Sequence, residues 1–213
     1  MPRPARAHTE RSPDGRMTLG EHLYELRYRV IVSAIAVVVT TIVAYIFHAH
    51  ILHFLTHPYC KLPAKDRAIQ GRCVLVTGGV LEPFTVTLKI SLYAGVLAAS
   101  PVWLYQLWRF VTPGLYAHEK RYATAFVASS VVLFAMGAAF AYLTLEKGLQ
   151  FLLGFANGGI ASLLQVNAYL GFVTAMVLIF AVSFEFPLLV VMLNFVGVLS
   201  AARLRAWARA IIF

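Results

Sequence analysis

The chain has 213 residues, of which 60% are hydrophobic and only 13% charged, and its mean hydropathy is +0.76. That leaves too little polar surface to coat a soluble globule of this size, so composition points to an integral membrane protein. The net charge of +9 does not indicate nucleic acid binding, because Lys and Arg stand in short blocks at the ends of apolar runs rather than on a separate basic domain.

Residues 1–16 are Pro-rich, charged and without apolar periodicity, and are expected to be a disordered basic tail. The run that follows is long and lacks a small-residue cleavage site, so the first apolar helix is expected to be retained. Residues 17–213 are expected to form a single membrane domain. It opens with a capping box, Thr18 with Glu21, followed by Leu19, Leu23, Leu26 and Val30 at helical spacing. This is a short amphipathic helix leading into the first span. Glu21, Glu25 and Arg29 lie four apart on its other face, where Glu21 can cap and Glu25 can pair with Arg29. A carboxylate held by Arg29 can still accept a second guanidinium.

Four stretches reach the roughly 20 residues that cross the hydrocarbon core as a helix. They are about 29–47, 87–108, 122–145 and 169–196, and a fifth starts at about 206 and stops at Phe213. A span that ends part-way across lipid leaves carbonyls unsatisfied, so the sequence is expected to be a C-terminally truncated version of a longer one. With the N-terminus inside, twelve Lys and Arg face inward and five outward, which predicts a cytoplasmic N-terminus.

Residues 48–82, with Pro58, Pro63 and a Gly78-Gly79 turn as loop signals, are predicted to form an outer loop containing both cysteines, Cys60 and Cys73. In an oxidising compartment these form a disulfide, and the alternative is two unpaired thiols. The same loop carries His48, His50, His53 and His57, read as solvated polar residues rather than metal ligands. In the second span Lys89 is expected to snorkel to the headgroups and Pro101 to kink the helix. Trp103, Tyr105 and Trp108 then form an aromatic belt at the inner interface.

The turn PVWLYQLWRFVTPGLYAHEKR, Pro101 to Arg121, places Glu119 among cations at the inner surface. The third span is dense in Gly and Ala, which permits close helix approach. The next outer loop, Glu146 to Ala168, is expected to contain a turn at Asn157-Gly158-Gly159. In the fourth span Glu185 falls near the bilayer midplane, so it must face the bundle interior or water. Pro187, two residues on, is expected to bend the helix and leave an intramembrane polar notch. Glu185 is then either a carboxyl hydrogen-bonded to a neighbouring helix or a group used in transport. Ser200 reads as an N-cap, with Arg203, Arg205 and Arg209 as topology charges.

No phosphate-binding glycine loop, HExxH motif or nucleophile elbow is present in the sequence, so the chain is not read as an enzyme and no cofactor or metal is expected. The inner surface carries Glu21, Glu25 and Glu119. Carboxylates there suit the two-point fork of arginine better than the point charge of lysine.

HLYELRYR (residues 22–29), SPVWLYQLWRFVTPGLYAHEKR (residues 100–121) and FAVSFEFPLLVVML (residues 180–193) strongly resemble the TatC family of twin-arginine translocase subunits, in an actinobacterial form. The resemblance implies an all-α, glove-like polytopic bundle in the bacterial plasma membrane. Its role would be that of receptor and core subunit for export of folded preproteins, binding the twin-arginine motif of their signal peptides at the cytoplasmic face. It implies signal contacts at Glu25, Arg27, Phe110 and Glu119, an intramembrane glutamate at Glu185, and a proton gradient as driving force. Implied partners are single-span TatA and TatB type subunits, other TatC copies and the lipid bilayer. Two other classes compete. One is a proton-coupled small-molecule carrier using Glu185 with Lys89, although these lie at different depths and no inverted repeat is evident. The other is a structural scaffold, in which Glu25 and Glu119 would matter only for stability.

Overall fold

The structure, a computed structural model, describes residues 19–62, 73, 75–111, 120–155 and 164–195. The tail 1–16, Thr18, the 157–159 turn, Glu119, Ser200 and the start of a fifth span lie outside the described residues. Within them the chain is helical, in the order α1 (Leu19–Ile46), α2 (His48–Cys60), α3 (Glu82–Ala98), α4 (Ser100–Val111), α5 (Lys120–Gly154) and α6 (Val166–Phe195). α1, α5 and α6 are each long and apolar enough to cross a membrane, and α3 with α4, bent by 55° where they meet, makes a fourth such segment. The molecule is an all-α polytopic membrane bundle.

Its surface inverts the soluble pattern. Ile42 (59% exposed), Leu143 (74%) and Ile179 (62%) are typical of the apolar side chains that α1, α5 and α6 turn outward. In water such a surface would drive aggregation, whereas lipid tails solvate it. The amphipathic start of α1 follows the same rule. It is not a separate helix but one continuous rod with the span, and its apolar residues Leu23 and Val30 point out while Arg29 is buried.

Because lipid is as apolar as leucine, association between these helices depends on close packing and on polar contacts. Gly95 of α3 lies against Thr41 of α1 so tightly that an added Cβ would meet the Thr41 Cα at 2.7 Å. The Thr40 hydroxyl donates across the same seam to the Gly95 carbonyl at 2.8 Å. Gly137 does the same for α5 and α6, where a Cβ would stand 2.7 Å from the Phe180 carbonyl oxygen. The small-residue character of the third span thus serves contact with α6.

The bend in the second span follows from Pro101, which has no N–H to continue the helical ladder. The chain turns at Ala99, and the Trp103 indole donates to the Val96 carbonyl at 3.0 Å, so one carbonyl at the break is served by a side chain. α6 continues through Pro187 as one helix. Neighbouring groups in a bundle can re-satisfy the backbone that a proline frees.

At the other end of the bundle the predicted outer loop begins with a helix, α2. Tyr59 of α2 and Leu62, two residues beyond its end, join Leu145, Leu149, Tyr169 and Val173 in a buried cluster. The Tyr169 hydroxyl donates to the Leu55 carbonyl, and Tyr142 donates to the Phe54 carbonyl at 3.0 Å. Pro58, read as a loop signal, sits inside α2. The sulfurs of Cys60 and Cys73 are joined, which ties the end of α2 to the segment that follows. That segment pairs with the chain entering α6 through Val76 and Gln165. α5 likewise continues through Glu146 to Gly154, beyond the expected end of the third span. Lys89 does not simply extend to solvent, because its Nζ donates to Asn167 Oδ1 of α6 at 2.7 Å.

Candidate functional site

Two polar assemblies stand out in this apolar scaffold, and α4 contributes to both. The first lies where the start of α1 meets α4. The Glu25–Arg29 spacing of one helical turn brings the two side chains together, as a pair four apart on a helix must. Arg29 Nε donates to Glu25 Oε1 at 3.1 Å, and its Nη2 donates to the same oxygen. Its Nη1 crosses to α4 and donates to Gln106 Oε1 at 3.1 Å. The side chains of Arg29 and Glu25 are only 11% and 23% exposed, so water screens this pair less than an ordinary surface bridge. Glu25 Oε2 is buried and has no hydrogen-bond partner among the described residues. One turn toward the N-terminus the His22 ring stacks on Phe110 of α4, with centroids 4.4 Å apart. Glu25 and Phe110 therefore belong to one α1–α4 face, with half of the carboxylate uncommitted. Arg27 is exposed.

The second assembly is buried in the bundle. Trp108 Nε1 donates to Ser130 Oγ of α5 at 2.7 Å, and Ser130 Oγ donates to Glu185 Oε2 of α6 at 2.8 Å. Trp108 is 2% exposed, Ser130 0% and Glu185 7%. Glu185 thus faces the interior, as a carboxyl in a span must. Trp108 departs from the aromatic-belt expectation, because it packs with Leu104, Phe134, Ala181 and Met192 instead of lying at an interface. Trp103 is also drawn inward, edge-on to Phe134 at 5.2 Å. Only Tyr105 keeps the belt character, exposed and accepting a hydrogen bond from Arg109.

The sequence reading did not single out Gln106, Ser130 or Trp108 as site residues. Gln106 and Ser130 are uncharged polar residues inside apolar runs, a signal that was available. Trp108 gave no such signal, since an indole near a span end is ordinarily an interfacial anchor. Among the described residues no group of three or more His, Cys, Asp and Glu is placed to hold a metal, and the α2 histidines are spread along its length.

Residues 21–213 match the family described as Sec-independent protein translocase protein (TatC). The chain belongs to the TatC family. The TatC protein of Frankia casuarinae is 52% identical over 205 residues, covering 94% of this chain and 56% of that one. The TatC protein of Corynebacterium kroppenstedtii is 35% identical, covering 95% and 54%. The present chain therefore spans little more than half the length of these two relatives. The Aquifex aeolicus TatC is 38% identical over 196 residues, with 91% and 79% covered. A crystal structure of a twin arginine translocase receptor, TatC, in DDM is 36% identical and superposes with a TM-score of 0.76 over 90% of this chain and 83% of that one. The family's description is that of a protein translocase, and the small-molecule carrier reading gains no support from it.

Proposed function

We propose that this chain is the receptor part of a twin-arginine export system, lying in the bacterial plasma membrane with its N-terminus cytoplasmic. It binds the paired arginines of signal peptides on folded preproteins at the α1–α4 face. The observation that carries this reading is the state of Glu25: Arg29 occupies one carboxylate oxygen, and the other is buried and unpartnered among the described residues. An unpaired buried carboxylate oxygen is costly, and an incoming guanidinium N–H relieves that cost. Phe110 and His22 supply an aromatic wall on which a planar guanidinium can stack. Arg27 and Glu119 complete the proposed contacts, Glu119 as the carboxylate for the second arginine. Single-span TatA and TatB type subunits and further TatC copies are the proposed partners in transport.

Site-specific photocrosslinking in membranes tests this. A photoreactive phenylalanine in place of Tyr28, an exposed neighbour of Arg29, is expected to capture a preprotein whose signal carries Arg-Arg. The same group in place of Phe84, at the start of α3, is expected to capture far less. Equal capture at both positions, or capture indifferent to the arginine pair, overturns the reading.

A further inference from the structure

α4 has two polar faces with different neighbours. Gln106 and Phe110, four residues apart, share the side that meets α1. Trp108 lies halfway between them in sequence, and two residues of α-helix rotate the side chain by about 200°, to the opposite side. There it meets α5. No rigid displacement of α4 can change the Gln106–Phe110 side without also moving the indole on the other.

The link from that indole to Ser130 has one possible direction, and it leaves the serine proton for Glu185. An indole N–H can only donate, and a serine hydroxyl has a single proton. Ser130 Oγ therefore accepts from Trp108 and gives its own proton to Glu185 Oε2. Hydrogen bonds in such a series polarise one another, and the effect is strongest where water is excluded. Phe126, edge-on to the indole with centroids 4.7 Å apart, restrains the ring. Glu185 Oε1 is buried with no hydrogen-bond partner among the described residues, so Ser130 is the side-chain contact seen to orient the carboxyl, beside the Phe134 backbone N–H.

We infer that Trp108 and Ser130 are positioning residues for Glu185. Together they set the orientation and polarity of its carboxyl and transmit to it any displacement of α4 caused by a ligand on the α1 side. The transmission half rests on the α1–α4 face being the signal-peptide site, and the positioning half does not.

Infrared difference spectroscopy on the purified chain in detergent tests both halves, with the Glu185 carboxyl band identified as the one lost in Glu185→Gln. Without peptide, Ser130→Ala and Trp108→Phe are each expected to move that band, whereas Ser130→Thr, which keeps a hydroxyl, leaves it near the wild-type position. The Trp108→Phe variant retains an aromatic ring against Phe126 and never touches Glu185, so a role in packing alone predicts no shift. A band unmoved by both Ser130→Ala and Trp108→Phe overturns the positioning role. With an Arg-Arg signal peptide added, the wild-type band is expected to shift, and that shift is expected to be lost in Trp108→Phe while peptide affinity changes by less than about threefold. Peptide that binds without moving the band, or that moves it equally in Trp108→Phe, overturns the transmission. Peptide that fails to bind the wild type overturns the receptor reading and the transmission with it, and the peptide-free spectra still decide the positioning role.

Discussion

The Glu25 assembly and the Glu185 assembly each place a carboxylate on an apolar bundle, and each leaves one carboxylate oxygen without a partner among the described residues. They differ in what holds the other oxygen. Glu25 is held by a cation one turn away on its own helix, while Glu185 is held by a neutral hydroxyl of α5 that is itself bonded to an indole of α4. A guanidinium on one oxygen leaves the other able to pair with a further cation, which suits a site that recognises cations. A hydroxyl and an indole accommodate a carboxyl at membrane depth without burying a second ion. On the proposed reading the same side chain serves recognition in one place and a conformational role in the other.

This contrast can be broken in graded ways. The largest effect is expected from Gly137→Val, which forces apart the α5–α6 seam supporting Ser130 and Glu185, with a loss of about 3 kcal/mol. Thermal unfolding in detergent reads it, and an unchanged midpoint would show that the seam is loose. Arg29→Ala leaves the Glu25 carboxylate partly buried without its cation. The expected loss is about 2 kcal/mol, between that of an exposed bridge and that of a fully buried one. Because this pair is ionic, the difference between Arg29→Ala and wild type should shrink as salt is raised, and salt-independence would argue against the ionic description.

Ser130→Ala should cost less, about 1 kcal/mol, since the groups it orphans are one neutral donor, the Trp108 indole, and a carboxyl in a membrane interior. Its effect should be insensitive to salt, and a salt dependence matching that of Arg29→Ala would erase the distinction between the two assemblies. The smallest change is expected from Gln106→Ala, about 0.5 kcal/mol in stability, because Arg29 keeps Glu25. Its value lies in showing whether the bridge from α1 to α4 contributes at all, and a loss as large as that of Arg29→Ala would mean that Gln106 is the main partner.

The two assemblies were also unequally legible in the sequence. The Glu25–Arg29 pair was readable because helical periodicity alone brings residues four apart together, with no knowledge of the fold. The spans and the break at Pro101 were readable for the same local reason. Glu185 was identifiable as an interior group from its depth, but its partners were not, because they lie 55 and 77 positions away and only the packing of α4, α5 and α6 brings them together. The same packing turned Trp108 inward and gave Lys89 the Asn167 contact. α2 was hidden because Pro58 and four histidines read as loop, whereas its helix is held by contacts from Tyr142 and Tyr169 on distant helices.

The measurement that bears most directly on the proposed receptor role is binding of a fluorescent signal peptide, bearing Arg-Arg or Lys-Lys at its core, to the purified chain and to Glu25→Gln. The account predicts that Arg-Arg binds about tenfold or more tightly to the wild type, about 1.4 kcal/mol, and that Glu25→Gln loses most of that preference. Equal binding of the two peptides, or a preference untouched by Glu25→Gln, would contradict it.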